Sequence, residues 1–391
     1  MKKLIIYTLQ KIYKMNFELN EEHLMIRQAA RDFAQNELKD GVIDRDSKCE
    51  YPKIQVKRMA ELGFLGMTVS SKYGGGGMDT ISYALAVEEI SNIDNSCSVI
   101  LSAHNSLACW GIEEYGTEKQ KEKFLRPLAT GKKIGGFCLS EPESGSDATQ
   151  QKTTAIDKGD HYILNGTKNW ITNGNSASVY LVIAQTDHSL GHKGINAFIV
   201  EKDTQGVIVG KKEDKLGIRG SDTHSIMFTD VVVPKENRIG ENGFGFSFAM
   251  KTLSGGRIGI AAQALGIASG SYELALKYSK ERKAFGKEIS RHQAIAFKLA
   301  DMATEIEAKA ICTLTNSGYT AYQISAWRPD SSILVFTSNK RILSQLNLLW
   351  GVKCHYYERF VSTDETVVDV NHIAKEKGYV KAGDTLVNLL A

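Results

Sequence analysis

The chain has 391 residues, 42% of them hydrophobic, enough to bury a substantial core and to hold about two or three domains. Lysine and arginine number 48 against 45 aspartates and glutamates, so net charge gives no drive toward nucleic acid. No apolar run approaches the roughly 18 residues a membrane-spanning helix requires, and no membrane insertion is expected.

The first residues, MKKLIIYTLQKIYK, carry lysines and a short apolar patch that falls short of a signal core, with no small-residue cleavage site after it. Residues 1–14 therefore read as an extension, or as the product of a start upstream of Met15. From Asn20 the pattern is helical. Asn20 before Glu21 and Glu22 reads as an N-cap with acids in the first turn, and Leu24, Ala29, Phe33 and Ala34 make a partial apolar stripe. Gly74 to Gly77 mark a loop, and Thr117 to Gln120 form a capping box opening another helix. These elements make a helical domain over 15–133.

Over 134–240 the period changes to that of strands. Tyr162 to Leu164, Val179 to Ala184, Ala197 to Val200 and Ser225 to Val233 are β-branched or apolar and are separated by turn signals such as Asn165-Gly166 and Asn173-Gly174. Helix returns over 241–307, with one long segment from Phe244 to Tyr278. Ser290 to Gln293 caps a second helix carrying Ala294, Phe297, Met302 and Ile306.

Over 308–391 the grammar changes again. Ile333 to Phe336 and Thr385 to Leu390 read as strands, Lys340 to Leu349 and Asp364 to Lys375 as helices. This alternation predicts a small parallel-sheet α/β unit. The change of architecture places a boundary near 305–312 and implies few apolar contacts across residue 308 and separate unfolding on either side.

Cys49, Cys97, Cys109, Cys138, Cys312 and Cys354 show no CxxC and no metal-ligand spacing. Their scatter suits free thiols in a reducing compartment, so a cytoplasmic chain without a metal site is expected.

Two segments carry the chemistry. Leu139 to Asp147 reads LSEPESGSD, and Trp170 to Gly174 reads WITNG inside the β-patterned region. They are followed in order by DKLGIRGSDTH at 214–224, GRIGIAAQALGIA at 256–268, and Arg282-Lys283-Ala284-Phe285-Gly286 with Gln293. Over about 17–307 the chain resembles the short-chain acyl-CoA dehydrogenases. The resemblance implies a helical domain, a middle β domain and a truncated helical segment of that type, with FAD as cofactor, acyl-CoA as substrate and electron-transfer flavoprotein as partner.

The same resemblance assigns residues. Phe137, Leu139, Ser140, Gly145 and Ser146 would line the flavin on one side, and Trp170, Ile171 and Thr172 would flank its ring system. Read alone, Trp170 is a core aromatic; within WITNG it is a flavin neighbour. Arg282, Phe285 and Gln293 would reach the adenine and pyrophosphate of FAD in a neighbouring subunit, so a homo-oligomer is expected if FAD is held. Ser146, Arg219, Ser254 and Arg257 would contact the coenzyme A thioester, although the family commonly has aspartate where Ser254 stands.

No catalytic residue is assigned. The family's usual glutamate loop near the carboxy terminus does not occur among these residues, and Gly256 occupies the alternative base position. Glu358 and Glu365 read as solvated surface carboxylates, not substitutes.

The segments LTNSGYTA (314–321), SAWRPDSSILVFTSNKR (325–341) and STDETVVDVNHIAKEKGYVKAGDTLVNL (362–389) are similar to the carboxy-terminal domain of pyruvate kinase. In that family the domain regulates and assembles, so no kinase activity is implied. Thr315 to Gly318 read as an ordinary βα turn. The domain's own first helices are missing, which leaves one sheet face in need of cover, and the helix from Ser290 to Ile306 would supply part of it. Beside an acyl-CoA dehydrogenase of impaired activity stand two rivals: a non-catalytic flavin- or acyl-CoA-binding protein, and a recombination product without selected function. A native peptide crossing residues 300–320 separates the last from the others.

Overall fold

The computed structural model describes residues 19–305, 310–315, 317–326, 331–359, 363–381, 384 and 386–390. The extension over 1–14 lies outside these residues, as do Asn316, Trp327 to Asp330 and the cap region before Thr363. The chain parts into two compact units, Met1–Ile267 and Ala268–Ala391.

The first unit opens with helices α1 (Glu21–Phe33), α2 (Val42–Ser47), α3 (Lys53–Glu61), α4 (Thr80–Ser91) and α5 (Asn95–Ser102). A π-helical stretch, Ala103–Cys109, joins α5 to α6 (Trp110–Tyr115), and α7 (Glu118–Gln120) runs through a second such stretch into α8 (Arg126–Ala129). Asn20 caps α1 by accepting from the His23 N–H at 2.8 Å, and Thr117 and Gln120 exchange both capping-box bonds. The expected stripe on α1 is out of phase at its start. Leu24 and Ala29 are exposed, while His23, Ile26, Ala30, Phe33 and Ala34 are buried. His23 belongs to that inward face because its ring reaches Asp79 ahead of α4, at 2.8 Å.

The β domain contains β1 (Gly135–Cys138), β2 (Thr154–Asp157), β3 (His161–Thr172), β4 (Val179–Gln185), β5 (Ile195–Glu201), β6 (Val207–Lys212), β7 (Thr223–Pro234) and β8 (Arg238–Ile239). Its strand order is β6-β7-β3-β2-β4-β5-β8, with β1 parallel to β4. Every residue of β4 is buried. Val179, Leu181 and Ile183 face a core shared with Phe124, Leu125, Leu128 and Phe248; Tyr180, Val182 and Ala184 face a second core with Tyr162, Leu164 and Phe228. A strand covered on both faces accounts for the unbroken apolar run that marks it in the sequence. A long helix follows, α9 (Gly245–Glu281), whose first part closes the first unit.

The second unit holds the rest of α9, a short hairpin of β9 (Lys283–Ala284) and β10 (Lys287–Glu288), and α10 (Gln293–Glu305). Then come β11 (Ala310–Leu314), α11 (Tyr319–Ala326), β12 (Ser332–Thr337), α12 (Lys340–Leu346), β13 (Val352–Tyr356), α13 (Thr363–Glu376) and β14 (Leu386–Leu390). The sheet is wholly parallel, in the order β13-β12-β11-β14. Helix α10 starts at Gln293, and Ser290 lies in a 3₁₀ turn before it. The residues it buries are Leu299, Ala300 and Ala303, while Ala294 is exposed.

Alternation along the strands sorts this unit into layers. Ile311, Ile333 and Val335 point to one face, where Tyr272 of α9 and Leu299, Ala300 and Ala303 of α10 pack. Ala310, Cys312, Leu334 and Phe336 point to the other, covered by Val370 and Ala374 of α13 with Tyr357. The expectation of few apolar contacts across residue 308 is not met. Two helices that precede it and a sheet that follows it share one core. Helix α10 supplies cover to the sheet, as its position suggested, and the end of α9 adds to it beside Ala321 and Ile324 of α11 and Leu346 of α12.

Candidate functional site

The two motif segments meet at the end of β1. The Asn169 N–H donates to the Ser140 carbonyl at 2.8 Å, and Lys168 Nζ donates to the Leu139 carbonyl at 3.0 Å. Asn173 Nδ2 reaches the Gly135 carbonyl at 3.2 Å. Between Lys168 and Ile171, β3 carries one residue more than its partner β7. This bulge turns Trp170 out of the strand alternation: its φ is +62° and its side chain is 62% exposed. A left-handed backbone is unfavourable for a bulky residue and persists where surrounding bonds impose it, commonly at ligand sites. The core-aromatic reading of Trp170 is thereby removed.

The turn after WITNG is equally fixed. Asp222 accepts from the backbone N–H groups of Asn175 (2.9 Å) and Ser176 (2.7 Å) and from the Ser176 hydroxyl. Gly174 is required there, since a Cβ would lie 2.7 Å from His224 Cβ. Ile171 is buried and Thr172 half-buried, and Phe137 packs its ring 6.5 Å from that of Phe248. Gly145 and Ser146 lie exposed on the loop.

Beneath the loop lies a buried ionic network that sequence reasoning missed. Lys168 Nζ also donates to Glu141 Oε1 and Gln151 Oε1, both at 2.6 Å, and the lysine is 0% exposed. Glu141 in turn accepts from the N–H groups of Lys152 and Thr153. Burial pulls the Lys168 amine down to about 8. For Glu141 burial would raise the carboxyl, but the Lys168 charge and the hydrogen bonds outweigh it and hold it below its ordinary value. A signal existed. Tyr162 and Leu164 set the inward phase of β3, and period two carries that phase through Gly166 to Lys168.

His104 is a second missed residue. Its ring is fully buried in the π-helical stretch, accepts at Nδ1 from the Gly135 N–H (3.1 Å) and faces the Leu128 carbonyl with Nε2 (3.1 Å). It thus ties α8 to the first residue of the strand that leads into the Leu139–Asp147 loop. Burial pushes its pKa from 6.5 down to about 4. The unfolded chain takes up this proton near 6.5 and the folded chain only near 4. Stability present above that upper value is therefore lost as pH falls toward the lower one, by about 3 kcal/mol in all. Urea melts at pH 7 and pH 5 should show a larger loss for the native chain than for His104→Gln; equal losses would exclude this ring as the source.

On α9, Gly256 is buried against the π-helical stretch. A Cβ there would meet Leu107 Cδ2 at 2.9 Å, the mobile end of a side chain, with Ser106 Oγ next at 3.7 Å. Ser254 and Arg257 are exposed; Ser254 donates to the Met250 carbonyl at 3.0 Å, and Arg257 Nη1 donates to Ser254 Oγ at 3.3 Å. Arg219 is committed elsewhere. Its Nε and Nη2 hold Asp46 at 2.9 and 2.7 Å, which fixes the 214–222 loop to α2.

Arg282, Phe285 and Gln293 lie in the second unit, and all three are exposed. Phe285 and Gly286 form the hairpin turn with φ of +52° and +79°, and Phe285 is 96% exposed. That turn geometry favours Asn-Gly, so a fully presented phenylalanine there is held against its preference. In the same unit Gly318 donates its N–H to Thr315 Oγ1 at 2.9 Å, closing the strand-to-helix turn. Glu358 is exposed and bonded to the Tyr356 hydroxyl, and Glu365 is exposed.

All six cysteines are free. Among the described residues no His, Cys, Asp and Glu cluster could hold a metal, and no helix is long and apolar enough to cross a membrane.

The residues at the β1 end suit a planar, hydrogen-bonding group. Trp170 presents an exposed indole, and the hydroxyls of Ser140 and Thr172 have no partner within the described chain. Helices, β domain and helical segment in this order define a class shared with solved dehydrogenases. Butyryl-CoA dehydrogenase from Megasphaera elsdenii aligns with a TM-score of 0.73 at 45% identity, covering 80% of this chain and 81% of that one. A structure titled for the electron transferring flavoprotein of Acidaminococcus fermentans aligns at 0.74 with 50% identity, covering 75% and 77%. An acyl-CoA dehydrogenase complexed with FAD from Bacillus anthracis aligns at 0.70 with 36% identity, covering 79% and 51%.

The chain belongs to the acyl-CoA dehydrogenase family. The family's N-terminal, middle and C-terminal domains match residues 20–132, 136–231 and 243–317. The short-chain specific acyl-CoA dehydrogenase of Clostridium acetobutylicum is 49% identical over 294 residues, 75% of this chain and 78% of that protein. A further match, to the pyruvate kinase alpha/beta domain, spans 293–390. Residues 293–317 lie within both matches, and they include α10 and β11 of the shared core.

Proposed function

We propose that the chain binds FAD and short-chain acyl-CoA thioesters, and that proton abstraction from the acyl α-carbon is the step it performs poorly. The observation that carries this reading is Trp170, exposed on left-handed backbone and bonded through its neighbours to the Leu139–Ser140 segment. When bound, FAD supplies the acceptor for the hydride leaving the acyl β-carbon. Trp170 offers a flat face to the ring system, Ser140 and Thr172 offer hydroxyl donors, and the exposed Ser146 and Arg257 meet the coenzyme A arm. Arg282, Phe285 and Gln293 reach outward to a flavin held mainly by a second copy, which makes the working form a homo-oligomer. Reoxidation falls to an electron-transfer flavoprotein, in line with the electron transferring flavoprotein named for one structural relative.

Gly256 sets the limit on activity. No carboxylate is available at this position, and the relatives' remaining helices are replaced by the α/β unit. The non-catalytic binding role is favoured by this same residue.

The test is a flavin titration. Purified protein should carry substoichiometric, readily lost flavin, should take up added FAD with a change in its visible spectrum, and should show a further change on adding acyl-CoA. Absence of any spectral change on FAD addition would sink the reading, and tight one-to-one FAD in a stable tetramer would show that the tail rebuilds the missing contacts. Trp170→Ala should weaken FAD binding by about 0.5–1.5 kcal/mol through lost ring contact. Because the side chain is exposed, stability without FAD should stay within roughly 0.5 kcal/mol. Equal losses in binding and stability would mean that the indole serves the fold.

A further inference from the structure

We infer that Lys168 is the positioning residue of the flavin segment: it sets the orientation of the Leu139–Ser140 peptide from below. The inference rests on the flavin reading of that segment, and it names the device that shapes it. A buried Lys–Glu pair is a poor choice for stability alone, because well-packed apolar residues commonly do as well or better. Something else keeps this one. Of the three acceptors around Nζ, one is a main-chain carbonyl, that of Leu139. Gln151 Nε2 donates to the same carbonyl at 3.2 Å, so two buried donors converge on it.

The consequence is geometric. In a trans peptide the N–H points opposite the carbonyl. With the Leu139 oxygen drawn down onto the buried amine, the Ser140 N–H is turned away from it, and it has no acceptor within the described chain. On the other side of Ser140, the Asn169 N–H holds the Ser140 carbonyl, one residue before the exposed Trp170. Lys168 thus fixes one end of Ser140 through its side chain, while the residue after it fixes the other through its backbone. An N–H that is fixed, outward and unpaired is a donor preorganised for an electron-rich ligand edge, and such donors need no reorganisation when charge builds up. Around Nζ, Glu141 supplies the counter-charge and is itself pinned by the Lys152 and Thr153 N–H groups, and Gln151 completes the shell.

Two variants separate positioning from mere stability. Glu141→Gln removes the counter-charge and leaves the Lys168 bond to Leu139. The double variant Lys168→Met/Glu141→Gln removes that bond without stranding a buried carboxylate. Each is compared with the native chain for FAD dissociation constant, flavin visible spectrum and, without FAD, hydrogen–deuterium exchange of the peptide covering residues 137–145. The double variant should bind FAD at least tenfold more weakly, shift the flavin bands and exchange this peptide faster, while Glu141→Gln changes affinity less than threefold. Native-like affinity, spectrum and exchange in the double variant would overturn the role of Lys168. So would equal losses in both variants, which mark the pair as structural. If the native chain takes up no FAD, the flavin reading itself fails, and the exchange comparison in FAD-free protein still decides whether Lys168 holds the peptide.

Discussion

Bound FAD should stay oxidised when butyryl-CoA is added to the unaltered protein without oxygen, even where the thioester perturbs the flavin spectrum. On the proposed assignment, binding and proton transfer rest on different residues: Ser146 and Arg257 would meet the ligand, whereas Gly256 would stand at the base position. A positioned general base is worth about 10²–10⁴-fold, so bleaching should be slower than in the family's competent members by at least that range. Gly256→Glu is the direct test of cause. The new Cβ would press on Leu107 Cδ2 at 2.9 Å, a contact that a rotamer change relieves, so the variant should fold. Recovery of flavin bleaching in this variant is the expected result. Rapid bleaching by the unaltered protein would overturn the account, and Glu358→Gln and Glu365→Gln would then be the substitutions to make. A glutamate lacking its supporting shell can miss the α-carbon by enough to lose most of the gain, so the rescue should be partial.

The second large effect concerns the shared core. Leu299 precedes residue 308 and is buried against a sheet that follows it. Leu299→Asp would bury an unpaired carboxylate, which belongs with substitutions destabilising by more than about 4 kcal/mol. The reporter lies beyond the junction, on the opposite face of the sheet. Cys312 is fully buried there, and burial pushes its thiol up to about 12, so it should resist a thiol reagent in the native protein. In Leu299→Asp, peptide mapping should find Cys312 labelled. Leu299→Ala, a cavity of about 2–5 kcal/mol, should give partial labelling. Protection of Cys312 in the aspartate variant would mean that the sheet stands without α10, as a boundary near 308 implies.

That boundary shows where sequence reading succeeds and where it stops. Elements with a clear period were legible: the long α9, the apolar run of β4, the caps at Asn20 and Thr117, and strands β12 and β14. Errors came from phase and from distance. Leu24 and Ala29 were placed on the inward face of α1 because His23 does not advertise itself as a core residue; a partner 56 residues away, Asp79, makes it one. Ser290 has the chemistry of a cap, but the chain makes a 3₁₀ turn first, and the helix begins at Gln293. The core joining Tyr272, Leu299 and Ile333 was hidden because its members lie far apart in sequence and in segments that resemble different families.

The site was legible to a similar depth. The motif segments Leu139–Asp147 and Trp170–Gly174 stand out in the sequence, whereas the groups that hold them do not. Lys168 looks like a solvated strand lysine until its inward phase is counted, and His104 looks like any helix histidine until its π-helical segment meets β1. Arg219 holds Asp46, a pairing no local pattern announces.

One strand carries a dynamic consequence for the first unit. Because β4 contributes alternate side chains to two cores, neither core can open while the other keeps that strand in place. The strand is paired on one side with β5 along its whole length and on the other with β1 at its start and β2 at Gln185. Its amides can exchange with solvent only through the highest-energy opening of the unit, so β4 should contain the unit's slowest-exchanging amides and report the global unfolding free energy directly. The helical and β parts of residues 19–267 would then behave as a single foldon, despite carrying two separate family domains and the start of a third.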